Sequence, residues 1–484
     1  MKEMTKERLI EIAIGISVEK DVDTLLETIL TEAMRYTNCD GGTLYVCTEE
    51  NLEFHTAITK SKNFYMSKKQ GNMMLPPVPY SKTHVCACCA LEKTKINIPD
   101  VYESKDYDFH GAQKYDAMND YRTTSMLVLP MEDDKGKVIG VLQFINAMDD
   151  EGNIVSFPEE CEQTIYALNS LAAVSLNNRK LSQQVLNLLH SFVEVMASAI
   201  DTRSPYNANH SKSMVNYGKR FIQWLNESES NWKFDEKDID PFLMSVWLHD
   251  VGKLVIPLEI MDKPTRLGDL EDGLLYKIST GILMERIRGL EHPDEKEASD
   301  KKIGEIEAAK ELILSSNAAG FLPDEKLEAI QKAGELFIKN DMGEEIPLLN
   351  EEEKTAMMVR KGTLTEDERK IIQSHVVNTE KMLSKMIFDG DYANVPVWAA
   401  SHHEFLNGTG YPKHLTGKDL PKETRLLTIL DVYDALTAED RPYKPALPTE
   451  KAFSILHAME NDGQIDGEIL ALFEESGAWK KENQ

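Results

Sequence analysis

His402 and His403 stand side by side in the stretch SHHEFLNGTGYP, and Glu404, Gly408, Gly410, Tyr411 and Pro412 follow within ten residues. On a helix, adjacent side chains diverge by about 100°, so two neighbouring imidazoles do not share one bland surface role. A second pair, His249–Asp250, closes an apolar run and leads into Gly252 and Lys253 (LHDVGK). Neutral imidazole and carboxylate are the ligands that suit divalent iron, manganese, zinc and similar ions. A carboxylate can bridge two ions where an imidazole cannot. Two ions roughly 3.5–4 Å apart can share a hydroxide and clamp a phosphoryl group. A lone His-Asp pair says little, because a buried, hydrogen-bonded histidine is commoner than a ligand. The ordered set is the signal: His210, His249-Asp250, Gly252-Lys253, His375, His402-His403-Glu404, Gly408, Gly410-Tyr411-Pro412 and Asp431. His414 and His457 lie outside it and are expected to be surface or packing residues.

Those side chains must be carried by folded elements, and the chain of 484 residues is long enough for two or three domains. Residues 20–156 alternate between helical and strand patterns. DTLLETILTEAMRYTN reads as an amphipathic helix, and GGTLYVCTEENLEFHTAI as two strands around a polar turn at Glu49, Glu50 and Asn51. TTSMLVLPMEDDKGKVIGVLQFINAMD repeats the hairpin. Helices flanking a mostly antiparallel sheet make an α+β domain. From Pro158 to about Ile200 one helix is expected, with Ile165, Leu168, Ala172, Leu176, Leu181, Val185, Leu188 and Phe192 recurring every three to five residues. Its length points to a helical connector or short coiled coil, which favours a parallel dimer. After Ile200 the pattern is all-α. Within it, residues 262–358 are rich in Glu and Lys and read as an insertion of two to four amphipathic helices.

Composition narrows the classes. The net charge of −28 argues against a nucleic-acid polymer as partner, whereas a metal or a few local cations still admit an anionic small molecule. No apolar run reaches membrane-span length. The N-terminal MKEMTKERLIEIAIGI reads as an amphipathic helix without a cleavage site, so a cytoplasmic location is expected. Six cysteines, Cys39, Cys47, Cys86, Cys88, Cys89 and Cys161, lie in the first third without a zinc spacing, and reduced thiols lining a core or pocket are the favoured reading.

Two resemblances follow from these residues. Gly140, Val141, Leu142, Gln143, Asn146 and Phe157 resemble the closing strand and loop of a GAF domain, a small-molecule sensor module. The ordered histidine set resembles the HD-GYP family of phosphodiesterases, which hydrolyse cyclic dinucleotides, over about 200–260 and 355–460. The expected organisation is a GAF-like domain at 1–157, a connecting helix at 158–200 and an all-α HD-GYP domain at 201–484 with its insertion. The second resemblance implies a dinuclear centre of iron or manganese between helices. One ion would be held by His210, His249, Asp250 and Asp431, and the other by His375, His402 and His403 with Asp250 as bridge. It also implies hydrolysis of cyclic di-GMP to linear pGpG, and perhaps GMP, by a metal-bridging hydroxide; cyclic GMP-AMP or mononucleotide hydrolysis and a silent nucleotide receptor are the alternatives. Lys253, on the same helix as Asp250, and Arg441 with Lys444 would contact phosphate, although Arg441 stands one residue further from Asp431 than in the family. Glu404 would orient an imidazole, and Asp434 would cap or brace its segment. Tyr206 occupies the position of a family glutamate that supports a third metal, so two ions are expected. The GAF domain would take an unidentified small molecule and, with the connector, form a homodimer.

Overall fold

The structure, a computed structural model, describes residues 11, 15, 21–71, 75–203, 209–438 and 446–480. The N-terminal helix expected before residue 17 falls largely outside them. Two compact units divide at Leu188 and Leu189.

In the first unit, α1 (Val22–Tyr36) is capped by Asp21, whose carboxylate accepts from the Thr24 amide at 3.1 Å. The helix buries Leu25, Leu26, Ile29, Leu30, Ala33 and Met34, the i, i+3/i+4 stripe that its sequence carries. It covers a sheet in which β1 (Cys39–Cys47), β2 (Asn51–Thr59), β3 (Phe64–Ser67), β5 (Ile96–Ile98), β6 (Met126–Glu132) and β7 (Val138–Met148) run in the order β3-β2-β1-β7-β6-β5. β4 (Val78–Pro79) pairs with β2, β8 (Ile154–Val155) pairs with β7, and every pairing is antiparallel. Period-two alternation sends Leu142 and Phe144 to the α1 side and Val141 and Ile145 to the other. That other side is covered by α2 (Val85–Glu92) and α3 (His110–Asn119), around a cavity of about 290 Å³. Cys86, Cys88 and Cys89 are buried free thiols on α2, and Cys86 lines the cavity. Asn146 sits at φ +57°, where its side chain accepts from the Thr124 amide and donates to the Arg122 carbonyl. A single helix, α4 (Glu159–Asp201), follows.

The second unit is built of α5 (His210–Glu227), α6 (Glu236–Leu248), α7 (Leu258–Met261), α8 (Leu270–Glu291), α9 (Lys296–Asn317), α10 (Asp324–Gly334), α11 (Glu351–Met357), α12 (Glu366–Leu383), α13 (Val395–Ala399), α14 (Lys422–Thr437), α15 (Thr449–Asn461) and α16 (Gly467–Ser476). Residues 262–358 have a core of their own, in which Leu274 and Ile278 of α8 meet Ile306 and Ile313 of α9 and Ile330 of α10. Here the all-helical expectation needs one correction. Strands β9 (Phe337–Lys339) and β10 (Glu345–Pro347) form a hairpin. Its tight turn is made by Asn340, whose side-chain oxygen accepts from the Met342 and Glu344 amides. Three-residue strands are too short for an alternation signal to stand out from helical spacing. Among the described residues no helix is long and apolar enough to cross a membrane.

Arg266 closes the base of the inserted region. It is fully buried and donates to the carbonyls of Val359, Ser316 and Ala319, so both ends of the segment converge on one guanidinium. Arg266→Met removes these donors and strands buried carbonyl groups, each costing about 1–3 kcal/mol. Urea denaturation of the variant should show a loss of about 3 kcal/mol or more; a loss below about 0.5 kcal/mol would contradict this role.

Candidate metal centre

Five elements deliver the histidines and carboxylates to one place. His210 is the first residue of α5. His249 and Asp250 leave the C-terminal end of α6. His375 lies within α12, whose start is fixed by a reciprocal capping box between Thr365 and Glu368. His402 and His403 lie in the turn that follows the short α13 and its cap residue Ala400. Asp431 and Asp434 are one turn apart on α14.

The turn after Asp250 is possible only because residue 252 is glycine. A Cβ there would lie 1.9 Å from the His375 carbonyl oxygen and 2.6 Å from the Thr379 amide. Thr379, which sequence reasoning passed over, ties the same turn to α12. Its hydroxyl donates to the His249 carbonyl and accepts from the Gly252 amide, both at 3.0 Å. The one available signal was its place four residues after His375, on the same helical face. This close approach also corrects the expectation for Lys253. α6 ends at Leu248, and Lys253 sits in a 3-10 turn spanning Val251–Val255, not on the helix. Its ammonium lies 2.5 Å from Asp250 Oδ2.

Ring orientation follows one rule for three histidines. The Nδ1 atoms of His249, His375 and His402 face the carbonyl oxygens three residues earlier, those of Val246, Ile372 and Ala399, at 2.7, 2.6 and 2.7 Å. A carbonyl only accepts, so each Nδ1 carries a proton; His375 and His402, lowered by burial, then offer Nε2 lone pairs to the interior, while at His249 burial is outweighed by the Asp250 carboxylate, which raises the ring. His210 is held differently. Its Nδ1 donates to Asp434 Oδ2 at 2.6 Å, so Asp434 orients an imidazole. The role expected for Glu404 is not the one observed. Its buried carboxylate accepts from the backbone amides of Lys413 at 2.6 Å and Leu415 at 2.9 Å, and thus holds the Gly-Tyr-Pro loop. In that loop Gly408 has φ +78°, and a Cβ on Gly410 would lie 2.4–2.6 Å from the backbone of residues 403–405. The Tyr411 ring then lies over His403, with centroids 4.9 Å apart.

The result is two groups of nitrogens joined by two carboxylates. Asp250 Oδ2 is 3.2 Å from His249 Nε2 and 3.8 Å from His210 Nε2, while Oδ1 is 3.4 Å from His375 Nε2 and 3.9 Å from His402 Nε2. Asp431 also spans both groups, with Oδ1 3.3 Å from His210 Nε2 and Oδ2 3.7 Å from His403 Nδ1. Ligand atoms of His375, His402 and His403, of His210, His249 and Asp431, and of His249, Asp250 and His402 each lie within 4.8 Å of one another. Tyr206, Arg441 and Lys444 lie outside the described residues.

Charge and burial work against each other here. Burial pushes the Asp250 carboxyl up, but His249 and Lys253 outweigh it and hold it well below the usual range. Burial pushes His210 down, but Asp431 and Asp434 reverse this and take it to about 10. Burial lowers His375 and His402, and takes His403 to about 4, so these three rings are neutral near pH 7. The donor set fits divalent cations. Nε2 of His375 and Nε2 of His402 face each other at 3.4 Å although both are acceptors, and buried Asp250 Oδ1 has no hydrogen-bond partner. A divalent cation bound there would satisfy all three atoms.

Residues 21–176 match the GAF domain and residues 352–469 the HD domain. Over 101 residues, 21% of each chain, the sequence is 39% identical to 3′3′-cGAMP-specific phosphodiesterase 3 of Vibrio cholerae. It is 33% identical over 109 residues, 22% of this chain and 24% of the other, to 3′3′-cGAMP-specific phosphodiesterase 1 of that organism. It is also 33% identical over 139 residues, 28% of this chain and 33% of the other, to a cyclic di-GMP phosphodiesterase response regulator of Xanthomonas campestris. The matches thus span at most a third of these relatives. The chain thus carries a GAF domain and, further along, an HD domain. Its resemblance to HD-GYP phosphodiesterases is borne out at the level of these domains and relatives.

Asp434→Asn keeps the shape at His210 but removes the charge that orients the ring. Mn²⁺ titration should show one binding event weakened about 10–100-fold. Unchanged affinity for both events would remove Asp434 from the centre.

Proposed function

We propose that this protein is a metal-dependent phosphodiesterase that hydrolyses a cyclic dinucleotide, with cyclic di-GMP opened to linear pGpG. The observation that carries the reading is the placement of Asp250, whose two oxygens face separate imidazole groups. His210, His249 and Asp431 would hold one divalent cation, and His375, His402 and His403 the other, with Asp250 between them. Iron and manganese are the ions the family resemblance implies, and imidazole and carboxylate donors without thiolate admit them along with other divalent metals. Bound there, the ions supply a water of lowered pKa and neutralise charge on the phosphodiester.

The chain's own residues do the rest. Nδ1–carbonyl bonds keep the ring nitrogens aimed at the cations. Lys253, partly exposed beside Asp250, offers a point charge to a phosphate oxygen. Arg441 and Lys444 are proposed as further phosphate contacts. The Gly-Tyr-Pro loop, braced by Glu404, places Tyr411 over His403 at the edge of the site. A second reading, hydrolysis of cyclic GMP-AMP, is favoured by the 39% identity to a phosphodiesterase named for that substrate.

The GAF domain is proposed to regulate this activity through a small molecule in its cavity, in a homodimer. Support for the dimer comes from α4, where Val174, Leu181, Val185, Leu188, Phe192 and Val195 are exposed at heptad spacing and Asn178 falls in the same stripe. An asparagine at one such position sets register in parallel two-stranded coils.

The test is incubation with Mn²⁺ or Fe²⁺ and each cyclic dinucleotide, followed by chromatography. Linear dinucleotide is the expected product. Asp250→Ala should abolish turnover and bring the bound metal below two ions per chain. Lys253→Ala should lower turnover by about 10²-fold with both ions retained. Full activity in Asp250→Ala would sink the dinuclear reading.

A further inference from the structure

The last turn of α4 meets two of the site's elements from one point in the chain. Asp201 Oδ2 accepts from the Ser211 amide at 3.0 Å, and Oδ1 accepts from the Ser211 hydroxyl at 3.1 Å. Ser211 follows His210, and its amide is one of the four at the start of α5 that have no acceptor within the helix. Asn209, at the cap position, makes no side-chain cap bond. Asp201 therefore caps α5 from another helix and sets a negative charge at the positive end of the α5 dipole. Two residues later, Arg203 Nη1 donates to the carbonyls of Lys253 at 2.7 Å and Leu254 at 2.6 Å. Those carbonyls belong to the turn that leaves Asp250. The same end of α4 is locked by packing, because Val193 and Ile200 share a core with Leu248 and Val251, which flank His249–Asp250.

We infer that Asp201 and Arg203 form a two-pronged clamp that fixes His210 relative to Asp250. They are positioning residues, and through them α4 acts on the metal centre. One prong holds the amide end of the helix carrying His210. The other holds the carbonyl end of the turn after Asp250. Both prongs leave the same turn, so a displacement of that turn moves both partners together. The atoms whose spacing is at stake, His210 Nε2 and Asp250 Oδ2, are 3.8 Å apart. The inference deepens the proposed regulation of the site and rests on that reading only for its activity measurement.

The experiment uses the full chain with Asp201→Ala, Asp201→Asn, Arg203→Met and Arg203→Lys. Mn²⁺ binding is followed by calorimetry, amide exchange of residues 209–214 and 250–255 by mass spectrometry, and kcat and KM on cyclic di-GMP. In Asp201→Ala and Arg203→Met, one Mn²⁺ event should weaken about tenfold or more, with faster exchange confined to those two segments. The value of kcat should fall with KM nearly unchanged. Asp201→Asn and Arg203→Lys, which keep an acceptor and a cation, should recover part of each effect, and they carry the comparison if the larger changes do not fold. Wild-type Mn²⁺ affinity and exchange in folded variants overturns the clamp. So does exchange raised evenly over the helical half, which marks general loosening. A wild-type chain that turns over no cyclic dinucleotide refutes the proposed activity instead, while the Mn²⁺ and exchange measurements still decide the clamp.

Discussion

The buried carboxylate of Asp250 is the constraint around which the helical half is arranged. Taking an ionised carboxylate out of water costs several kcal/mol unless opposite charge or hydrogen bonds repay it. Lys253 approaches one oxygen at 2.5 Å, while the other is left without a hydrogen bond among imidazole nitrogens. A fold selected for stability alone would remove such an atom from the interior. This one brings histidines from four separate elements toward it and spends a glycine, Gly252, to let the backbone pass within reach of α12. The departure from a stability-driven interior is local and specific, which is the pattern expected where stability has yielded to chemistry.

The way the rings are aimed explains why so few carboxylates suffice. A metal-binding histidine needs its second nitrogen fixed, and a carboxylate is a common partner. Here His249, His375 and His402 use carbonyls of their own preceding turns. For His249 and His402 those carbonyls lie near the C-terminal ends of α6 and α13, where helix carbonyls lack amide partners. One bond thus satisfies an orphan acceptor and selects a tautomer. His210, at an N-terminal end, is oriented by Asp434 instead. Glu404 is left free to serve the loop instead.

Much of this could be read from residue order, and the limits have a physical pattern. The strands around the 49–51 turn, the long α4 and the helical face of α1 declare themselves through local periodicity. Asn146 was visible as part of a strand-end pattern, and its left-handed backbone explains why an asparagine suits that position. The seven candidate ligands were legible from the order of the motif and what its family resemblance implies, not from any one residue's surroundings: His210 stands in the polar stretch NANHSKS. What stayed hidden depends on contacts between distant segments. The partners of Glu404 are nine and eleven residues away through a loop that turns back, and that of Asp434 is 224 residues away. Lys253 looked helical because nothing in LHDVGK reveals that α12 presses against Gly252. The β9–β10 hairpin is too short to outweigh the helical spacing around it.

The rigidity that such a centre requires comes from packing on two sides. In α6, Phe242, Leu243 and Val246 enter one core, with Phe221 and Leu430, while Met244 and Leu248 enter another, with Val193 and Leu383. In α13, Trp398 belongs to the first core while Val395 and Ala399 belong to the second. Each large side chain removed from water contributes about 1.5–3 kcal/mol, so neither helix can roll toward one core without losing contacts in the other. A surface helix with a single apolar face lacks that restraint. His249 and His402 are the residues that follow these doubly packed helices, and their Nε2 atoms face the same carboxylate. The site therefore lies at the seam between two cores, where the backbone has least freedom to drift and where a push on either core, including one delivered through Val193 and Ile200 of α4, reaches the ligands directly.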